Sequence, residues 1–188
     1  MPLGQFWQPI GPEAGFHPGW ARLSWEPSGL WLEAILFGSQ PGNRARRLNE
    51  NTWELGEVCE LFLRMPAAPG YLECHVTPEN QRLQLAWPPN GLQRFRDGSA
   101  PLASFLIDRP DWIRSWTFIG AGYWVAQILV PAHRLGLGPL RAGQALDAMV
   151  SRYDYTAGDS HPVVLSATAP LHEPDFHRCA EWHHVVLC

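Results

Sequence analysis

The stretch YLECHVTPENQRLQLAW, residues 71–87, decides the fold. Its first half alternates: Leu72, Cys74 and Val76 fall on one side, and Glu73, His75 and Thr77 on the other. A period of two belongs to a strand, where successive side chains point to opposite faces. The run Thr77-Pro78-Glu79-Asn80 breaks the pattern with turn-forming residues. Leu83, Leu85 and Trp87 then resume it, so the segment reads as a β-hairpin. The reading expects Leu83, Leu85 and Trp87 to point inward with Leu72, Cys74 and Val76. It expects Glu73, His75 and Thr77 to face outward.

The same pattern repeats along the chain. WARLSWEPSGLWLEAILFGS predicts a hairpin of Trp20–Trp25 and Leu30–Phe37, turning at Glu26-Pro27-Ser28-Gly29. EVCELFLR sets Cys59, Leu61 and Leu63 against Val58, Glu60, Phe62 and Arg64. GYWVAQILVPA sets Trp124, Ala126, Ile128 and Val130 against Tyr123, Val125, Gln127 and Leu129. ALDAMVSRYDY, PVVLSAT and EWHHVVL add further strands. Helical signal is confined to one turn in AHRLGLGPLRAG, interrupted by glycine and proline. The expectation is an all-β chain: a two-sheet antiparallel β-sandwich of about ten strands, with little helix, in one domain over residues 1–188. Glu60, His75, Thr77 and Gln127 sit on strand faces that could be wholly apolar. They mark either wetted outer faces or one shared polar face lining a groove.

Composition agrees with a β-rich fold. There are 17 glycines, 18 prolines and ten tryptophans, which together imply frequent turns and many large rings to pack. At 46% hydrophobic and 17% charged, 188 residues can bury a sizeable core. A net charge of −4 and the absence of a basic stripe argue against a nucleic-acid partner. Arg44, Arg46 and Arg47 read as solvated loop residues. No apolar run reaches the ~20 residues of a membrane span, and MPLGQFWQPIGPEAGF lacks the features of an export signal. No membrane partner and a cytoplasmic location are therefore expected, or an extracytoplasmic one if an export signal has been removed. Four cysteines, Cys59, Cys74, Cys179 and Cys188, are too few for a disulfide scaffold and read as buried thiols.

Candidate chemistry begins with the tail HEPDFHRCAEWHHVVLC, residues 172–188. His177, Cys179, His183, His184 and Cys188 are all possible metal ligands. The spacing matches no zinc pattern, and a strand would send His183 and His184 to opposite faces. The chain has no nucleophile elbow and no phosphate loop. Glu57 and Glu60 share a strand without forming a catalytic pair. The remaining chemistry is aromatic: Trp53 follows the polar run Asn49-Glu50-Asn51-Thr52, and a flat ring at such a position suits the C–H face of a sugar.

These segments together resemble the family 9 carbohydrate-binding modules. That family has a tryptophan shortly before an acidic–x–x–Glu–aliphatic–Phe strand; here TWELGEVCELFL supplies Trp53, Glu57, Glu60 and Phe62. GYLECHVTPEN, YWVAQILVPAHRLGL, MVSRYDY and DFHRCAEWHHVVL match further segments in order. The resemblance implies a β-sandwich that binds a sugar between two rings and performs no catalysis. Carried over residue by residue, the rings are Trp53 and Phe176, and the polar contacts are Glu60, His75, Thr77, Arg152 and Glu173. Gln127 stands where the family has glutamate, and Thr77 where it has asparagine. The family often carries calcium, but no cluster of Asp and Asn is visible here, so neither a metal nor a cofactor is expected. The implied partner is a mono- or oligosaccharide. A metal- or haem-dependent enzyme on a similar sandwich, suggested by the tail histidines, is the alternative, as is a protein–protein module using the same rings.

Overall fold

A computed structural model describes residues 1–66, 68–156 and 162–188. Among them the order is β1 (Pro2–Leu3), β2 (Gly19–Glu26), β3 (Gly29–Phe37), α1 (Thr52–Leu55), β4 (Val58–Arg64), β5 (Tyr71–Val76) and β6 (Arg82–Trp87). There follow α2 (Gly91–Arg96), β7 (Arg114–Gly120), β8 (Tyr123–Pro131), β9 (Ala145–Asp154), β10 (Val164–Ala167) and β11 (His183–Val186). All the strand pairs are antiparallel. One sheet runs β1-β2-β3-β8-β7; the other runs β10-β9-β4-β5-β6, with β11 also paired to β9. The two-sheet all-β sandwich expected from the sequence is thus the observed architecture. The single helical turn expected after β8 is the 3-10 turn Ala132–Leu135.

Alternation explains where the core lies. Leu30, Leu32, Ala34 and Leu36 of β3 and Trp124, Ala126, Ile128 and Val130 of β8 meet Cys59, Leu61 and Leu63 of β4 and Leu146, Ala148 and Val150 of β9. Each fully buried aliphatic side chain contributes roughly 1.5–3 kcal/mol. The outer face of the five-stranded sheet is wetter and carries exposed Trp20, Trp116 and Phe118. There Gln127 donates to Glu33 at 2.9 Å.

The six-stranded sheet is buried on both faces. Its far side holds Phe62, Met149, Phe176 and Trp182 in one cluster, and Leu83, Leu85, Trp87, Ala100 and Phe105 in another. This corrects the hairpin reading. Val76 pairs directly with Arg82 and Cys74 with Gln84, so Leu83, Leu85 and Trp87 share a face with His75, Glu73 and Tyr71. The five residues between the strands set that register, and a shift of one residue exchanges the faces. Segment 91–106 makes the arrangement stable by laying Leu92, Phe95, Leu102 and Phe105 over the leucines and Trp87.

Arg152 lies at one end of the inter-sheet core and is fully buried. It donates from Nε to Glu57 Oε1 at 2.6 Å and approaches Asp154 Oδ2 at 3.3 Å. Glu57 also accepts from the Trp124 indole at 3.0 Å and from the Tyr155 N–H at 3.1 Å. Removing Arg152 leaves buried Glu57 without its cation and Asp154 with His17 alone. We expect Arg152→Met to cost about 3–5 kcal/mol in urea unfolding, and a loss under about 1 kcal/mol would contradict this account.

Candidate functional site

The far face of the six-stranded sheet opens into a cleft of about 530 Å³. Its floor is Glu60 of β4, Glu73 and His75 of β5, and Leu85 and Trp87 of β6. One wall comes from Leu92, Phe95, Arg96 and Leu102, and the other from residues 174–177 with Tyr153; Trp53 also lines it. Chain direction explains the floor. Glu60 pairs with His75 across β4 and β5, and Glu73 with Leu85 across β5 and β6, so all four side chains share this face.

The polar floor is held by hydrogen bonds on every side. His75 Nε2 lies 2.7 Å from Glu73 Oε1 and 3.2 Å from Glu60 Oε1. Its Nδ1 meets the Thr52 hydroxyl at 2.8 Å. The Trp87 indole donates to Glu73 Oε2 at 2.6 Å, and the Ser151 hydroxyl donates to Glu60 Oε2 at 2.6 Å. Tyr71 Oη and His177 Nδ1 are 2.8 Å apart. At the rim Arg96 grips Asp175 through two nitrogens, at 3.1 and 2.9 Å.

These contacts push the ionisable groups apart. Burial raises the Glu60 carboxyl to about 7, against the pull of His75. Burial opposes the charge of His75 too, but the Glu60 and Glu73 carboxylates outweigh it and raise the imidazole above its ordinary value. Burial also works against Glu73, yet the His75 hydrogen bond and charge prevail and hold that carboxyl below the usual range. Burial lowers His177.

Four of the seven residues expected from the sequence line this cleft: Trp53, Glu60, His75 and Phe176. Trp53 sits on the one-turn helix α1 rather than in a loop, with its ring edge-on to His75 at 5.8 Å. Phe176 is 4% exposed and packs on Phe62, Trp7 and Tyr153, so it is wall and core together. The other three lie elsewhere. Thr77 is buried in the β5–β6 turn, where its hydroxyl accepts the Gln81 N–H at 3.1 Å. Arg152 falls on the inter-sheet side of β9, because alternation turns it away from Ser151 and Tyr153. Glu173 stands in an exposed loop, paired with Arg178 at 3.1 Å.

Sequence reasoning missed Glu73, Trp87, Phe95, Arg96 and Tyr153, while His177, named there as a possible metal ligand, lines the cleft beside Phe176. The signal for Glu73 was present, since it shares its strand face with His75. Trp87 was hidden by the register.

The tail histidines separate as the strand pattern requires. His183 Nε2 contacts the Thr168 carbonyl at 2.9 Å, and His184 Nδ1 contacts Asp147 at 3.0 Å. All four cysteines are free; Cys59 and Cys74 are buried, Cys179 is half-buried and Cys188 is exposed. Among the described residues the one cluster of three or more His, Cys, Asp or Glu ligand atoms is Glu60, Glu73 and His75. Its buried imidazole and two carboxylates do not suit calcium, which takes six to eight oxygens. No helix among the described residues is long and apolar enough to cross a membrane.

Solved structures share this fold. A candidate carbohydrate-binding protein from Bacteroides uniformis superposes with a TM-score of 0.73 at 14% identity, over 100% of this chain and 85% of that one. A family 9 carbohydrate-binding module from Caldicellulosiruptor kristjanssonii in complex with glucose gives 0.64 at 10% identity, over 94% and 79%. The module from the same organism in complex with cellotriose gives 0.61 at 10% identity, over 93% and 77%. No protein-family model matches the chain, and no curated protein matches its sequence. The chain therefore has a fold like that of the family 9 modules, and at these identities the likeness is one of fold.

The cleft floor predicts a pH signature. Glu60 has a raised folded value, so its contribution to stability is full below its ordinary value near 4.5 and is lost as pH rises through about 7. Urea unfolding of wild type and Glu60→Gln should therefore diverge. Between pH 5 and pH 8 the wild type should lose about 2 kcal/mol relative to the variant. A difference that is constant with pH, or of opposite sign, would contradict the burial argument.

Proposed function

We propose that the chain is a non-catalytic carbohydrate-binding domain whose cleft takes a mono- or short oligosaccharide. One observation carries this reading: Trp53, Trp87, Phe95, Tyr153 and Phe176 surround a floor of hydrogen-bonding groups, on the sheet face of a fold shared with carbohydrate-binding modules. Aromatic faces receive the C–H side of a pyranose, and fixed carboxylate and imidazole atoms meet its hydroxyls. Glu60 and His75 are the floor contacts, and Trp53 stands edge-on to His75 at 5.8 Å. His177 and Arg96 lie where they can meet the outer edge of a ligand. In this reading Thr77 and Arg152 serve the scaffold, fixing the hairpin turn and the end of the core.

A glycosidase would need its two carboxyls on either side of a scissile bond. Here Glu60 and Glu73 are tied to a single imidazole between them, which favours holding a ligand over cleaving it.

Calorimetry against mono- and oligosaccharides tests the reading. Binding should fall in the micromolar to millimolar range, about 4–8 kcal/mol. Trp53→Ala should weaken it at least about tenfold through lost stacking area. No heat across a broad panel, or unchanged affinity in Trp53→Ala, would remove the proposal.

A further inference from the structure

Three side chains at the cleft floor are each anchored by one atom and aim another at a common point. Ser151 fixes Glu60 Oε2, Trp87 fixes Glu73 Oε2, and Thr52 meets His75 Nδ1. The remaining atoms converge. His75 Nε2 is 2.7 Å from Glu73 Oε1 and 3.2 Å from Glu60 Oε1, and one ligand atom from each residue lies within 4.8 Å of the others. The residues are 1%, 5% and 1% exposed, for Glu60, Glu73 and His75 in turn.

Among the described residues, only His75 and His177 come within ion-pair reach of the two carboxylates. The His177 ring stands 3.8 Å from Glu73 and meets the Tyr71 hydroxyl. Arg96 is taken by Asp175, and Arg152 by Glu57 and Asp154. Two carboxylates and one imidazole thus converge at one buried point that lines the cleft.

We propose that Glu60 Oε1, Glu73 Oε1 and His75 Nε2 form a binding site for zinc at the floor of the cleft. The ion replaces the proton that Nε2 shares with the carboxylates, and that proton leaves to solvent. Three protein ligands plus a position open to the cleft is the arrangement of zinc sites that receive an outside group. Imidazole with carboxylates suits a transition metal better than calcium. Donation from Nδ1–H to Thr52 Oγ1 leaves the Nε2 lone pair for the ion, and Ser151 and Trp87 orient the two carboxylates in the same way. The proposal does not rest on the sugar reading.

The test uses the full chain carrying Cys188→Ser, stripped with a chelator and dialysed against zinc. About one zinc per chain is expected, and X-ray absorption should show one imidazole and no sulfur around it. Glu73→Gln should weaken binding at least about tenfold, while a His183→Ala, His184→Ala variant should bind as the parent does. No retained zinc, sulfur neighbours, or equal affinity in Glu73→Gln would overturn the proposal and leave a hydrogen-bonded cluster only. If Glu73→Gln does not fold, the absorption spectrum of the parent decides. Sugar calorimetry on stripped and loaded protein separates the two readings: zinc without sugar heat ends the sugar reading alone, and sugar heat without zinc ends the metal proposal alone.

Discussion

The contact between His75 and Glu73, closed by the Trp87 indole on the second carboxylate oxygen, is the interaction on which the molecule's second interior depends. An antiparallel sheet usually keeps one face in water. Here the six-stranded sheet has the inter-sheet core on one side and, on the other, two apolar clusters with a polar patch between them. Glu60, Glu73 and His75 can be buried because they satisfy one another, and because Ser151, Thr52 and Trp87 supply the remaining partners. The covering segments then have a fixed surface to pack on. A cleft with packed walls is the consequence.

The strands were legible because alternation is a local signal. β4 and β8 could be divided into their two faces from the periodicity of their side chains, and β2, β3 and β9 could be read as strands. The face of β6 could not, because it depends on how many residues the turn absorbs. Thr77 and Gln81 settle that by bonding to each other across the turn, a contact that no strand pattern reveals. α1 and α2 were also out of reach. Helices of four and six residues are too short to show a 3.6-residue period, and both are fixed by what they cover. They supply Trp53 and the Phe95–Arg96 wall, so one side of the cleft lies in elements with little local signal.

The candidate site divides along the same line. Glu60 and His75 came from strand positions and lie on the floor. Arg152 also came from a strand, but on the opposite face of β9, where it pairs with Glu57 and Asp154 in the core. Trp87 was concealed by register, Glu73 shares its strand face with His75, and His177 reaches the cleft on the turn that carries it over Phe62 and Trp87. The tail thus contributes to the cleft through Phe176 and His177, while His183 and His184 serve β11 and its neighbours.

The central claim is that ligand enters over β4, β5 and β6, and the ten tryptophans make it directly measurable. Indole N–H resonances recorded during titration with an oligosaccharide that gives heat should shift for Trp53 and Trp87. Those of Trp124, bonded to Glu57 in the core, and of Trp20 and Trp116, on the opposite sheet, should stay in place. Shifts confined to Trp20, Trp31 and Trp116 would place binding on the wrong sheet and contradict the account.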